Sequence, residues 1–144
     1  MMPPTPIALA VVEHAGRYLI GQRPEGVPLA GYWEFPGGKV EANETVEQAA
    51  VRECREEAAL DVVVVAEYPA VVQQYDHDRV RVHFLRCKPT QFDPATGEPP
   101  TPGGYRWVAG AELRNYTFPK ANDGLIAMLA DGSDDGRSSA RETR

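Results

Sequence analysis

The order of hydrophobic patterns along this chain predicts an α/β fold, a mixed sheet with helices packed on it. Three observations carry that expectation. Two strand-like apolar runs come first as a close pair, one amphipathic helical pattern follows, and strand runs then resume before a closing helix. At 144 residues, with 42% hydrophobic and 25% charged residues, the chain suits a single domain with a real core, assigned to residues 1–130.

Ile7 to Val12 reads as a buried strand, Glu13 to Gly16 as a turn, and Arg17 to Gln22 as the second arm of a hairpin. Pro24 to Gly31 is a Gly- and Pro-containing loop that leads into an extended segment, Tyr32 to Gly38, ending in a glycine turn. A helix is predicted from about Thr45 to Ala58, with Val51, Cys54 and Ala58 as its apolar stripe. Val62 to Ala66, Ala70 to Tyr75 and Val80 to Cys87 read as three strands, the last two joined by a turn at Asp76 to Asp78. Lys88 to Gly104 is a long irregular loop rich in Pro and Gly, a kind of segment that is often functional. Tyr105 to Val108 gives a short strand, Ala111 to Leu113 a helical turn, and Ala121 to Leu129 the closing helix. From Asp131 onward apolar residues nearly vanish, so residues 131–144 are expected to form a disordered tail. Asp131, Ser133, Asp135, Gly136 and Glu142 fit a calcium-loop spacing there, but Ser138 takes its usual apolar position, so calcium binding is not expected.

Composition narrows the function classes. A net charge of -6 argues against a broad nucleic-acid surface, which needs a basic excess, so no stable nucleic-acid complex is expected. The first residues lack a basic segment followed by a long apolar stretch, which leaves no membrane span and a cytoplasmic location as the expectation. Two cysteines, Cys54 and Cys87, make neither a disulfide framework nor a zinc pattern and read as buried thiols. A monomer or weak homodimer is expected.

The chemistry concentrates on the first helix. Glu53, Glu56 and Glu57 are three and four positions apart and share one side of a helix, where they repel one another unless a divalent cation sits among them. Hard oxygen donors of this kind suit Mg²⁺ or Mn²⁺. The segment from Gly38 to Leu60 resembles the Nudix box. Gly38, Glu44, Arg52, Glu53, Glu56 and Glu57 fall at the required intervals, Cys54 and Leu60 fill apolar slots, and Ala59 stands where the family has Gly. A glycine just past a helix usually adopts a left-handed conformation that a Cβ makes costlier, so Ala59 is expected to cost modest stability or to alter the helix end slightly, and to spare the metal ligands. The resemblance implies an α/β/α sandwich and metal held by Glu56 and Glu57 with the carbonyl of Gly37 or Gly38. It also makes Glu53 the base or water-orienting group and a further ligand. Arg52 can pair with Glu56 in a supporting role, and Glu44 either serves catalysis or caps the helix start. Lys39 can meet a phosphate, and Glu98, on the long loop, can add a carboxylate. The three histidines are scattered and carry no assigned chemistry.

Beyond the box, Trp33 to Lys39 and Tyr116 to Asn122 look like segments of the MutT branch, the 8-oxo-dGTP diphosphatases. That resemblance implies that Asn122 reads the purine edge, with Phe118 beside it, and that Arg23 and Arg79 contact substrate while Tyr75 offers a stacking face. The implied activity is Mg²⁺-dependent hydrolysis of a nucleoside triphosphate, an oxidised purine nucleotide such as 8-oxo-dGTP, to monophosphate and pyrophosphate. The alternatives are a cytidine nucleotide or ADP-ribose-type pyrophosphohydrolase, and a non-catalytic nucleotide-binding module.

Overall fold

The computed structural model describes residues 2–91, 93, 95 and 97–132. Its strands are β1 (Thr5–His14), β2 (Arg17–Gln22), β3 (Trp33–Glu34), β4 (Gly37–Lys39), β5 (Val62–Gln74), β6 (Arg79–Pro89) and β7 (Tyr105–Ala109). Helix α1 spans Val46–Ala58 and α2 spans Asp123–Gly132, with short 3₁₀ turns at Gly110–Asn115 and Lys120–Asn122. The strands form one sheet in the order β3-β2-β1-β6-β5, with β4 added on β1 and β7 on β2. β1 and β6 run parallel, while the other pairs are antiparallel, so the sheet is mixed as expected.

Alternation along the strands divides the core in two. Ile7, Leu9 and Val11 of β1 join Val80, Val82 and Phe84 of β6 against Leu125, Ile126 and Leu129 of α2. Ala8, Ala10 and Val12 join Leu85 and Cys87 on the opposite face against Ala49, Ala50, Cys54 and Ala58 of α1. Alanine facing alanine lets α1 settle close on the sheet. Helices therefore cover both faces, which is the α/β/α sandwich.

The β1–β2 hairpin turns at Ala15 and Gly16, with His14 opposite Arg17. Both turn residues have positive φ, 53° and 78°, the geometry that matches the twist of a two-residue hairpin. Three differences from the sequence reading have physical causes. First, Val62–Gln74 is one strand and not two, because Pro69 lies in a register shift between Tyr68 and Val71 where no ladder N–H is required. A second shift between Val64 and Ala66 flips the strand, so Val64 faces α1 whereas Tyr68 and Val71 face α2. Second, β6 continues through Pro89 and shortens the long loop. Third, Asp131 and Gly132 close α2 instead of starting a tail, with Arg114 donating to both Asp131 carboxylate oxygens at 2.9 and 3.1 Å. Residues 133–144, and with them the tail and the rest of the calcium-loop spacing, lie outside the described residues. No helix among the described residues is long and apolar enough to cross a membrane.

Candidate active site

Local sequence brings the glycine pair and the acidic helix together. Thr45 caps α1 by accepting from the Gln48 N–H at 3.0 Å, while the Gln48 side chain accepts from the Thr45 N–H at 2.9 Å. β4 lies on β1 with Gly38 opposite Ala8 and Gly37 opposite Leu9. A Cβ on Gly37 would run into the Ala8 carbonyl, and one on Gly38 would meet the Glu53 carboxylate, 2.8 Å from its Cδ. Glycine at both positions therefore lets the β4 backbone press against the carboxylates of α1. The Gly37 N–H donates to Glu57 Oε1 at 3.1 Å, and the Tyr105 hydroxyl approaches the same oxygen at 3.4 Å.

Arg52 is the hub of the acidic cluster. It forks onto Glu44, Nε to Oε2 at 2.7 Å and Nη2 to Oε1 at 3.1 Å, and Nη2 also donates to the Lys39 carbonyl at 3.2 Å. Nη1 reaches Glu53 Oε2 at 3.3 Å and Glu56 Oε1 at 3.2 Å. The pairing with Glu56 expected from helical spacing is present, but Glu44 is the main partner. Glu44 does not cap the helix, since Thr45 does; its Oε1 accepts instead from the Glu41 N–H at 2.9 Å. The hydrogen bonds from Arg52 hold the Glu44 carboxyl below its ordinary pKa and raise that of Arg52 further, which suits Glu44 as an anchor better than as a base.

Glu57 behaves in the opposite way. Desolvation, reinforced by the neighbouring Glu53, pushes its carboxyl up to about 7 against the opposing pull of the Gly37 N–H. The residue keeps exposed surface, and its Oε1 lies between the Gly37 N–H of β4 and the Tyr105 hydroxyl of β7. Burial and the Glu57 charge likewise drive the Tyr105 hydroxyl upward, so it stays protonated. Two acidic groups crowded against a glycine backbone form a hard-oxygen donor set in which a divalent cation would relieve the repulsion, and these residues fit Mg²⁺ or Mn²⁺ on that ground. Among the described residues no three such side chains already converge as a finished ligand cluster. Glu56 is the outlier, more than half exposed and turned to Arg52.

The remaining predicted residues divide. Asn122 is only 4% exposed; its Nδ2 donates to the Pro119 carbonyl at 3.2 Å, while its Oδ1 is buried with no hydrogen-bond partner. α2 starts at the next residue, but an oxygen that accepts nothing is not acting as a helix cap. Phe118 stacks on Phe35, centroids 5.4 Å apart, and is spent on the core rather than offered as open surface. Arg23 donates to Glu34 at 2.9 Å and to the Pro28 carbonyl at 2.7 Å, tying the loop to β3. Lys39 is exposed at the end of β4. Tyr75 is exposed at the β5–β6 turn, and Arg79 beside it donates to the Met2 carbonyl at 2.9 Å. Glu98 is not brought to the box: it pairs with Arg17 at 3.5 Å, at the opposite end of β2 from Gly21 and Tyr105, while the adjoining Gly97 and Pro99 carbonyls bond His14 and Trp107. Glu34 and Tyr105 were not singled out from the sequence. Glu34 stood next to the glycine segment and was readable as a further acid, whereas nothing in the sequence signals Tyr105.

Residues 7–128 match the NUDIX domain family. A CTP pyrophosphohydrolase of Escherichia coli (strain K12) is 43% identical over 74 residues, 51% of this chain and 54% of that protein, so the match spans little more than half of that relative's length. A putative 8-oxo-dGTP diphosphatase 2 of Mycobacterium tuberculosis (strain ATCC 25618 / H37Rv) is 36% identical over 118 residues, 78% of each chain. The solution structure of a MutT protein from methicillin-resistant Staphylococcus aureus 252 matches with a TM-score of 0.67 at 29% identity, covering 90% of this chain and 98% of its own.

Proposed function

The chain belongs to the NUDIX domain family, and from that premise we propose that it is a Mg²⁺-dependent nucleoside triphosphate pyrophosphohydrolase preferring an oxidised purine nucleotide such as 8-oxo-dGTP. The products are the monophosphate and pyrophosphate. The observation that carries the substrate choice is the buried, unpartnered Oδ1 of Asn122. A buried acceptor left empty costs about 1–3 kcal/mol, which a donor on the ligand would offset. With one N–H spent on Pro119, the amide keeps an acceptor beside one donor, a match for a ring N–H next to a carbonyl. Ordinary guanine offers only acceptors at N7 and O6. Oxidation at C8 puts a hydrogen on N7 and supplies a donor on that edge, whereas ordinary guanine presents a ring N–H beside O6 only at N1.

At the other end of the substrate, Glu53 and Glu57, with a carbonyl from Gly37 or Gly38, would hold the cation, and Glu56 would leave Arg52 to join them. Mg²⁺ bound there would neutralise phosphate oxygens and make water a better nucleophile. Glu53 accepts the proton of the attacking water, and Arg52, anchored by Glu44, keeps Glu53 in position. Lys39 meets a phosphate, and Arg23, Tyr75 and Arg79 contact the nucleotide, while Phe118 supports the segment that carries Asn122. The proposed setting is the cytoplasmic nucleotide pool, with the protein acting as a monomer or weak homodimer.

A second reading, a cytidine nucleotide substrate, is favoured by the 43% identity to a CTP pyrophosphohydrolase, and cytosine also presents a donor beside an acceptor. Assaying 8-oxo-dGTP, dGTP, CTP and ADP-ribose with Mg²⁺, with product analysis, separates the readings. The highest kcat/KM for 8-oxo-dGTP supports the first, and a clear preference for CTP replaces it.

A further inference from the structure

We propose that Tyr105 is a positioning residue that orients the Glu57 carboxylate toward the cation. The inference rests on the metal-dependent reading above. Tyr105 opens β7 opposite Gly21, and its ring packs on the α1 face of the sheet. A Cβ on Gly21 would stand 2.7 Å from Tyr105 Cε1 and 2.8 Å from Cζ, so a bare glycine is what gives the ring its place. From that seat the hydroxyl approaches Glu57 Oε1 at 3.4 Å, the same oxygen that accepts the Gly37 N–H at 3.1 Å. One donor comes from β7 and the other from β4. Together they restrict rotation of the carboxylate, and its second oxygen is then presented in one direction.

Gly21 also pairs with Glu34 of β3, which places a further carboxylate near Glu57 and Tyr105. A phenol ordinarily ionises only at about pH 10, so at neutral pH Tyr105 has a hydrogen to donate. Groups that hydrogen-bond a ligating carboxylate typically govern metal affinity by 10–100-fold. Tyr105 and Gly21 lie far from the acidic helix in sequence, and neither bears a charge.

The test is Mn²⁺ titration of the full chain by electron paramagnetic resonance, with the melting temperature of each variant measured alongside. Y105F keeps the ring on Gly21 and removes only the hydroxyl. Its Mn²⁺ Kd is expected to rise by about tenfold with an unchanged melting temperature. At limiting Mn²⁺ kcat should fall, and saturating Mn²⁺ should restore it. G21A, which displaces the ring, should weaken Mn²⁺ binding similarly while lowering the melting temperature. If Y105F binds Mn²⁺ as the parent does while E57Q loses binding, Tyr105 only packs and the proposal is overturned. If E57Q also binds as the parent does, the metal reading of Glu57 fails and takes this inference with it.

Discussion

The acidic box and the segment around Asn122 treat polar groups in opposite ways. At the box one side chain gathers many of the polar groups: Arg52 alone bonds Glu44, Glu53, Glu56 and the Lys39 carbonyl. At Asn122 a single amide oxygen is buried with none. A networked site holds its shape before anything binds and can discriminate little among ligands, since phosphate and cation are common to every nucleotide. An empty acceptor does the reverse. It contributes nothing until a matching donor arrives, and its cost is then what separates one base from another.

The largest expected effect tests the networked side. Glu53→Gln should lower kcat by roughly 10²–10⁴-fold, the usual share of a positioned acid or base, with the fold retained because the amide keeps the contact with Arg52. A kcat within twofold of the parent would move the proton-accepting role elsewhere. On the other side, Asn122→Ala should reduce discrimination between 8-oxo-dGTP and dGTP by about 1–3 kcal/mol, seen as a fall in kcat/KM for the oxidised nucleotide only, with Mn²⁺ affinity unchanged. Equal loss for both nucleotides would erase the contrast between the two regions.

Smaller effects sharpen it. Ala59 ends α1 in a left-handed conformation, φ 54° and ψ 37°, where a Cβ costs about 1–2 kcal/mol. Glycine is freer in the unfolded chain, so Ala59→Gly should stabilise by a net of about 0.5–1 kcal/mol without altering kcat. Denaturant unfolding checks both the sign and the size. The smallest effect is a pH dependence. Glu57 sits at about 7 in the folded protein against 4.5 otherwise, so the unfolded state releases its proton first as pH rises. The metal-free fold should therefore lose stability between about pH 4.5 and 7 and level off above, modestly because Glu57 keeps exposed surface. The difference in melting temperature between the parent and Glu57→Gln isolates this slope, and added Mg²⁺ should remove it by favouring the ionised form. A difference that rises with pH would contradict the sign.

The same contrast explains what was legible in the sequence. Periodicity and turn residues located β2 at Arg17–Gln22 and the end of α1 at Ala58, because each is governed by neighbours in the chain. Pro69 misled the reading of β5, since a proline marks a break unless a bulge relieves it of its hydrogen bond, and bulges depend on the partner strand. The fork between Arg52 and Glu44 crosses a turn outside the helix, beyond the reach of a rule about positions three and four apart. Glu98 had the right chemistry for a ligand, but Arg17 claims it across the sheet. For Asn122 the amide's capacity was readable, whereas the burial of its empty oxygen belongs to the packing of α2 and the preceding 3₁₀ turn.

The core beneath α1 has a consequence for durability. Cys54 and Cys87 are both buried there, and desolvation pushes each thiol up to about 12. Both thiols therefore stay protonated at neutral pH, away from the thiolate form that peroxides attack, and neither is open to solvent. An oxidant that damages guanine nucleotides would find little reactive sulfur at these two positions beneath α1.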